Sequence, residues 1–112
     1  MSNKERNRDA FAAIADPTRR EIIDLLHEQG TLMAGEIAGN VVSASRPGIS
    51  RHLRVLKECG VVSCLRDGKA QFYTLNPKPL KQIRDTWLAR FGTLQVESLR
   101  ALRKAAESKR RR

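Results

Sequence analysis

Residues 45–59 constrain the fold most, because their pattern predicts one helix with two chemically different faces. Ile49, Leu53 and Leu56 recur at spacings of four and three, which places them on a single apolar stripe. The other positions are rich in arginine and lysine, and Glu58 is the only acidic residue. One face is therefore suited to burial and the other to an anionic partner, although an ordinary helix with a solvated basic face would show the same pattern.

The same segment carries the start and stop signals of a helix. Ser45 can accept a backbone N–H of the first turn, as a good N-cap does. Pro47 fits in that turn, where its missing N–H costs nothing. Gly60 follows the last helical position, as is common at helix ends.

The overall charge indicates a polyanionic partner. The chain has 112 residues, which fits one domain, and a formal net charge of +10, which favours nucleic acid or an acidic membrane surface. No apolar run approaches the roughly 20 residues of a membrane helix, and no signal-peptide core follows the N-terminus. Two cysteines without an export signal favour reduced thiols. We therefore expect a cytoplasmic protein that does not enter a membrane.

The part of the chain before residue 45 predicts a small helical bundle. The expected elements are helices over residues 9–15, 17–28 and 34–40, an extended link over 31–33 and a turn over 41–44. Asp16 is a candidate N-cap for the second helix, with Pro17 at its first position. Two short helices joined by a tight turn, the second with a basic face, are typical of a helix-turn-helix.

After Gly60 the pattern changes to β structure. Residues 61–66 and 70–75 are rich in β-branched and aromatic side chains, and Asp67-Gly68 between them is a strong signal for a two-residue hairpin turn. A helix-turn-helix followed by such a hairpin predicts a winged helix. The expected fold class is mainly α with a β-hairpin wing.

A long apolar stripe follows the break at residues 76–79. Its members, spaced by three and four, are Leu80, Ile83, Trp87, Phe91 and Leu94, continued by Leu99 and Leu102. Gly92 is expected to kink this last helix or to split it in two. The predicted divisions are a disordered N-terminus (1–8), a winged helix-turn-helix (9–76), a C-terminal helix (77–106) and a mobile basic tail (107–112).

These segments together resemble the ArsR family of small bacterial winged-helix transcriptional repressors. The matching motifs are ADPTRR at 15–20, GEIA at 35–38, SRPGISRHLRVL at 45–56 and the hairpin at 60–73. The match runs from Phe11 to Phe91, and WLARF at 87–91 is more similar to the SdpR-like branch than to the metal sensors. The resemblance implies a homodimer, binding to an operator with imperfect inverted repeats, and repression by occluding the promoter.

The resemblance also implies that the first and last helices join the dimer. The expected dimerisation residues are Phe11, Ile14, Leu80, Ile83, Trp87, Phe91 and Leu94. Two departures from the family pattern affect the entry to the motif. Met33 stands where an oxygen-bearing cap is usual, and the turn at 41–44 is one residue longer.

On DNA, the basic helix is expected to enter the major groove, which admits an α-helix. Arg46, Ser50 and Arg51 are expected to contact base edges, because they lie early in the helix and off its apolar stripe. Arg54 and Lys57 are expected to contact phosphates.

The remaining candidates for the DNA interface are Ser45, Gly48, His52, Arg66 and Lys69. Gly48 allows a close backbone approach to DNA, or is simply a tolerated weak helix former. His52 borders the apolar stripe, so a phosphate contact and a hydrogen-bonded packing role are both open. Arg66 and Lys69 at the wing tip are expected to reach phosphates or the minor groove, unless the loop is only solvated.

We expect no metal site and no cofactor. The segment 33–40 has no cysteine and the last helix has no histidine, so the ligand sets of metal-sensing relatives are missing. Cys59 and Cys64 are either two small buried side chains or a thiol switch that links helix to wing. The sequence identifies no effector.

The sequence also bears on other functional classes. An enzyme is disfavoured, because there is no Gly-rich phosphate loop, nucleophile motif or carboxylate–histidine cluster. A weakly specific nucleic-acid-packaging protein, a thiol-responsive repressor using Cys59 and Cys64, and a winged helix that binds protein remain alternatives to a sequence-specific repressor.

Overall fold

The computed structural model describes residues 9–92 and 95–110. They form two compact units, of which one ends at Lys81 and the other begins at Gln82. The elements of the first unit are α1 (Ala10–Ile14), α2 (Pro17–Gln29), β1 (Leu32–Met33), α3 (Ala34–Asn40), α4 (Arg46–Glu58), β2 (Val62–Asp67) and β3 (Ala70–Leu75), followed by α5 (Lys78–Gln82), whose last residue begins the second unit. This mainly helical arrangement with a β-hairpin confirms the predicted winged-helix fold class.

Side-chain caps begin three of these helices. Asp9 accepts the backbone N–H of Ala12 at 3.0 Å, and Asp16 accepts that of Arg19 at 3.1 Å. Ser45 Oγ accepts the N–H of Gly48 at 3.3 Å. Each of these bonds satisfies a first-turn donor that has no partner inside the helix. The caps predicted at Asp16 and Ser45 are therefore confirmed.

The core lies between α2, α3, α4 and the sheet. Its fully buried large side chains are Ile22, Leu26, Ile37, Ile49, Leu56 and Val61. Leu53 is also buried, so the whole apolar stripe predicted for α4 faces inward. Burial of such a side chain contributes about 1.5–3 kcal/mol, so this stripe attaches α4 firmly to the first unit.

The sheet has three antiparallel strands in the order β1-β3-β2. The segment 31–33, expected as a simple link, supplies β1, in which Leu32 pairs with Tyr73. The wing turn also differs from the prediction. Asp67 pairs with Ala70, so the two-residue loop is Gly68-Lys69, and Gly68 alone of these residues has a positive φ, of 64°. A glycine at the first loop position fits a type II′ turn, whereas the type I′ turn that an Asp-Gly loop favours needs a positive φ at both loop residues.

The entry to α3 carries a side-chain bond although residue 33 offers no capping oxygen. The Glu36 carboxylate accepts the backbone N–H of Met33 at 2.9 Å. This bond is the return half of a capping box, which a glutamate three residues after the cap position provides. The helix therefore begins where expected although Met33 is not a Ser or Thr.

The longer turn between α3 and α4 is tied back to α2. Ser43 Oγ lies 3.0 Å from Thr18 Oγ1 and donates to Glu21 Oε1 at 2.7 Å. Val41 is buried, whereas the side chain of Val42 is 91% exposed. These contacts fix the turn although it has an extra residue.

The second unit is irregular where one helix was predicted. A π-helical turn (Ile83–Trp87) leads into a 3-10 turn (Leu88–Phe91), and α6 covers Gln95–Arg110. Thr86 Oγ1 donates to the carbonyl of Gln82 at 2.6 Å, a side-chain bond that competes with regular helix bonding. The helix expected over 77–106 is therefore not continuous: the described residues before Gly92 form these short turns and α6 begins after it, in line with the split considered at Gly92. Residues 107–110, expected in a mobile tail, are helical.

The stability of this fold depends on pH through the carboxyl group of Asp16. Burial raises the pKa of its carboxyl, but the Arg19 backbone N–H and the charges of His52 and Arg19 outweigh burial. The pKa of folded Asp16 therefore lies below its ordinary value of 3.8. A carboxyl with a depressed pKa contributes stability above its unfolded pKa, and this contribution is lost as the pH falls through the folded pKa.

Replacing Asp16 tests both the cap and the charge. Asp16→Ala should lower the free energy of unfolding by about 1 kcal/mol at neutral pH, because α2 loses its cap. Asp16→Asn keeps a capping oxygen but cannot titrate, so its stability deficit relative to the wild type should shrink below about pH 4. Urea unfolding across this range measures both quantities. A deficit that stays constant with pH would contradict the ionic contribution.

Candidate nucleic-acid interface

A row of polar and cationic side chains covers the outer face of α4. Arg46, Ser50, Arg54 and Lys57 follow one another at spacings of four and three, so they lie on one side of the helix. All four are exposed, as is Arg51 beside them. Because the opposite face is buried, this row is held on a rigid support, as a binding surface requires.

Gly48 does not belong to the exposed row. It is buried, and a Cβ added there would lie 3.3 Å from Cβ of Ala44 and 3.4 Å from Oγ of Ser45. The absence of a side chain therefore lets α4 pack against the turn that precedes it. The structure gives Gly48 this packing role, and a close approach to DNA stays a prediction.

The wing adds two further cations. Arg66 and Lys69 are exposed near the tip of the β2–β3 hairpin. Together with Glu36 and Gln71 they line a groove of about 490 Å³ between the start of α3 and the wing. The first unit thus presents cations on two separate elements, α4 and the wing.

His52 has partners inside the first unit. Its Nδ1 lies 3.3 Å from Nη1 of Arg19, and its Nε2 lies 3.8 Å from Oδ2 of Asp16. Its side chain is 22% exposed. These contacts support the packing role weighed for His52, while a phosphate contact stays a prediction.

The sequence analysis missed Arg19 and Asp16 as part of this polar cluster. Asp16 was assigned only a cap, and Arg19 entered only as part of the ADPTRR motif at 15–20. Arg19 and His52 are separated by 33 residues, so no local spacing connects them. The sequence signal was that Asp16 and Arg19 lie in the matching motif at 15–20 and His52 lies in the one at 45–56.

The candidate dimerisation residues fall into two groups. Phe11, Trp87 and Phe91 are 44%, 43% and 46% exposed, and the rings of Trp87 and Phe91 meet edge to face at 5.3 Å. Of the others, Ile14 and Leu80 pack against the core of the first unit and Ile83 is buried, so these three do not present open surfaces. Leu94 lies outside the described residues.

Both cysteines lie near the junction of α4 and the wing. Cys59 is buried and Cys64 is partly buried, and no disulfide joins them. Cys64 is opposite Tyr73 in the β2–β3 pairing. Burial raises the pKa of the Tyr73 hydroxyl, and the charge and hydrogen bond of Cys64 raise it further. A role in redox sensing stays a prediction.

Residues 9–92 and 95–110 contain neither of two other kinds of site. Within these ranges no three His, Cys, Asp or Glu side chains are grouped so that they could hold a metal ion. No helix in the same ranges is long and apolar enough to cross a membrane.

Comparisons with known proteins identify the relatives of this chain. The family described as "Bacterial regulatory protein, arsR family" matches residues 16–63. Transcriptional repressor SdpR of Bacillus subtilis is 43% identical over 83 residues, which cover 74% of this chain and 89% of SdpR. An HTH-type transcriptional regulator of Mycobacterium tuberculosis is 42% identical over 84 residues, which cover 75% of this chain and 76% of that protein.

Solved structures agree with the sequence matches. A possible transcriptional regulator for arsenical resistance superposes with a TM-score of 0.68 at 35% identity, covering 83% of this chain and 94% of that one. An ArsR-like transcriptional regulator from Rhodococcus sp. RHA1 superposes with a TM-score of 0.68 at 31% identity, covering 96% of this chain and 98% of that one. The resemblance to the SdpR-like branch is confirmed, and these relatives are named as regulators rather than enzymes. The chain belongs to the arsR family of bacterial regulatory proteins.

Proposed function

We propose that this protein is a transcriptional repressor that binds an inverted-repeat operator as a homodimer. The observation that carries the proposal is the outward cationic row on α4, whose opposite stripe is buried in the core. A helix supported in this way can enter the major groove without losing its place in the fold. Repression then follows from occupancy of the promoter, in the cytoplasm where the DNA lies.

Within this function, the exposed residues of α4 divide by position. Arg46, Ser50 and Arg51 lie in its first half and contact base edges, where arginine can bond guanine through two hydrogen bonds. Arg54 and Lys57 lie nearer its end and contact phosphates. Phosphate contacts fix the position of the protein on the duplex, whereas base contacts read the sequence.

The wing contributes affinity rather than most of the specificity. Arg66 and Lys69 contact phosphates or the minor groove beside the helix, because they are exposed at the hairpin tip. Such contacts release counterions and make binding sensitive to salt.

The exposed aromatic side chains support the dimer. Phe11, Trp87 and Phe91 each leave nearly half of a large apolar side chain in contact with solvent. Aromatic residues are enriched in protein interfaces, where their burial adds strongly to affinity. Two copies of the chain would present two recognition helices, matching the two-fold symmetry of an inverted repeat.

Substitution of Arg51 tests the base contacts. Arg51→Ala should lower affinity for a duplex selected by the wild type from a random pool by about 1–3 kcal/mol, with little change on unrelated DNA. Arg54→Ala is the matched control, since it should weaken both duplexes alike and reduce the dependence of log Kd on log salt by about one unit. Fluorescence anisotropy titrations at several salt concentrations measure both effects.

Two outcomes would contradict these assignments. If Arg51→Ala and Arg54→Ala lower both affinities equally, Arg51 does not contact bases. If the random pool yields no preferred duplex, a packaging role with little sequence preference replaces the proposed repressor.

Substitution of Trp87 tests the dimer. Trp87→Ala should raise the dimer dissociation constant about 30-fold, since a central interface aromatic contributes about 2 kcal/mol or more. Leu65→Ala is the control, because Leu65 is another exposed apolar residue, but on the wing. Sedimentation equilibrium measures both variants. A wild type that is monomeric at every concentration used for DNA binding would contradict the dimer.

A further inference from the structure

The side chain of Arg19 connects three helices of the first unit. Its own backbone lies in the first turn of α2. Its Nη2 donates to the carbonyl of Ala12 at 2.7 Å and its Nε donates to that of Ala13 at 3.2 Å, both near the end of α1. Its Nη1 reaches His52 of α4 at 3.3 Å. One guanidinium therefore contacts both the first helix and the DNA-facing helix.

The chemistry of arginine determines the state of the histidine in this contact. A guanidinium has only donors, so in the neutral imidazole Nδ1 of His52 accepts the hydrogen bond and the ring proton lies on Nε2. Nε2 faces Oδ2 of Asp16, the residue that caps α2 and accepts the Arg19 backbone N–H. The imidazole is thus oriented from both sides by residues of the α2 N-terminus.

We propose that Arg19 and His52 are positioning residues for operator recognition, which fix α4 relative to α1. This inference rests on the proposed function, in which α1 carries the dimer contact Phe11. The angle between α1 and α4 then sets the separation of the two recognition helices. In dimers of this type that separation must match half-sites about one helical turn, roughly 34–36 Å, apart.

Two features make arginine suited to this link. Its planar fork presents several donors in a fixed geometry, so less conformational entropy is lost for each bond that it forms. Its hydrogen bonds are also charge-assisted, and such bonds are about twice as strong as neutral ones. Loss of the guanidinium would leave the carbonyls of Ala12 and Ala13 without this donor and would remove this polar link between α4 and α1.

The adjacent Arg20 provides a matched control. Its Nη1 donates to the carbonyl of Ile14 at 2.6 Å, so it also binds the end of α1. Unlike Arg19, it is exposed and makes no hydrogen bond to α4 among the described residues. Variants of the two arginines therefore differ mainly in the link to His52.

The test uses the duplex that the full-length wild type selects from a random pool, and copies with one base pair inserted or deleted between the half-sites. Arg19→Gln should lose about tenfold in affinity for the selected duplex and should no longer distinguish it from the altered spacings. Arg20→Gln should stay within about twofold of the wild type and keep the spacing preference. A change in stability alone would weaken binding to all spacings equally.

A double-mutant cycle separates this link from a direct phosphate contact by His52. If His52 acts through Arg19, His52→Leu combined with Arg19→Gln should bind no more than about twofold worse than Arg19→Gln alone. His52→Asn, which offers an acceptor oxygen near the place of Nδ1, should restore the spacing preference that His52→Leu loses. If thermal unfolding shows that Arg19→Gln is not folded, the contrast between these two His52 variants decides the question.

Three results would overturn the inference. These are equal behaviour of Arg19→Gln and Arg20→Gln, additive effects in the cycle, or equal spacing preferences of the two His52 variants. Each of them leaves the repressor function intact if a preferred duplex was selected. A pool that yields no preferred duplex overturns both the repressor function and the positioning role.

Discussion

Burial of the α4 stripe is the constraint on which the rest of the molecule depends. Ile49, Leu53 and Leu56 attach the helix to the core, and this attachment decides which side chains face outward. Because the period of a helix is fixed, burying these three positions necessarily exposes Arg46, Ser50, Arg54 and Lys57. The exposed cationic surface of α4 is therefore a consequence of core packing.

Features encoded by neighbouring residues could be predicted from the sequence. The caps at Asp16 and Ser45, the stripe of α4 and the extent of β3 each depend on a few adjacent positions. The outward position of the cationic residues followed from the same periodicity. Burial of Gly48 could not be predicted from this periodicity, because it depends on the packing of Ala44, in the preceding turn, against the helix.

Features that depend on distant pairing could not be predicted in this way. Strand β1 is only two residues long and exists because Leu32 meets Tyr73, far along the chain. The wing turn is shifted by one residue because the register of Asp67 with Ala70 determines which residues are left in the loop. The contact of Arg19 with His52 depends on the packing of α2 against α4, which no local pattern specifies.

The bond from Met33 to Glu36 has a consequence for tolerance to sequence change. Position 33 contributes its backbone N–H to this bond and pairs with Phe72 in the sheet, and neither contact uses its side chain. The side chain at 33 can therefore vary among apolar types without loss of the helix start. The demand for a specific residue has moved to position 36, where a glutamine would suffice and a shorter acidic side chain would not reach.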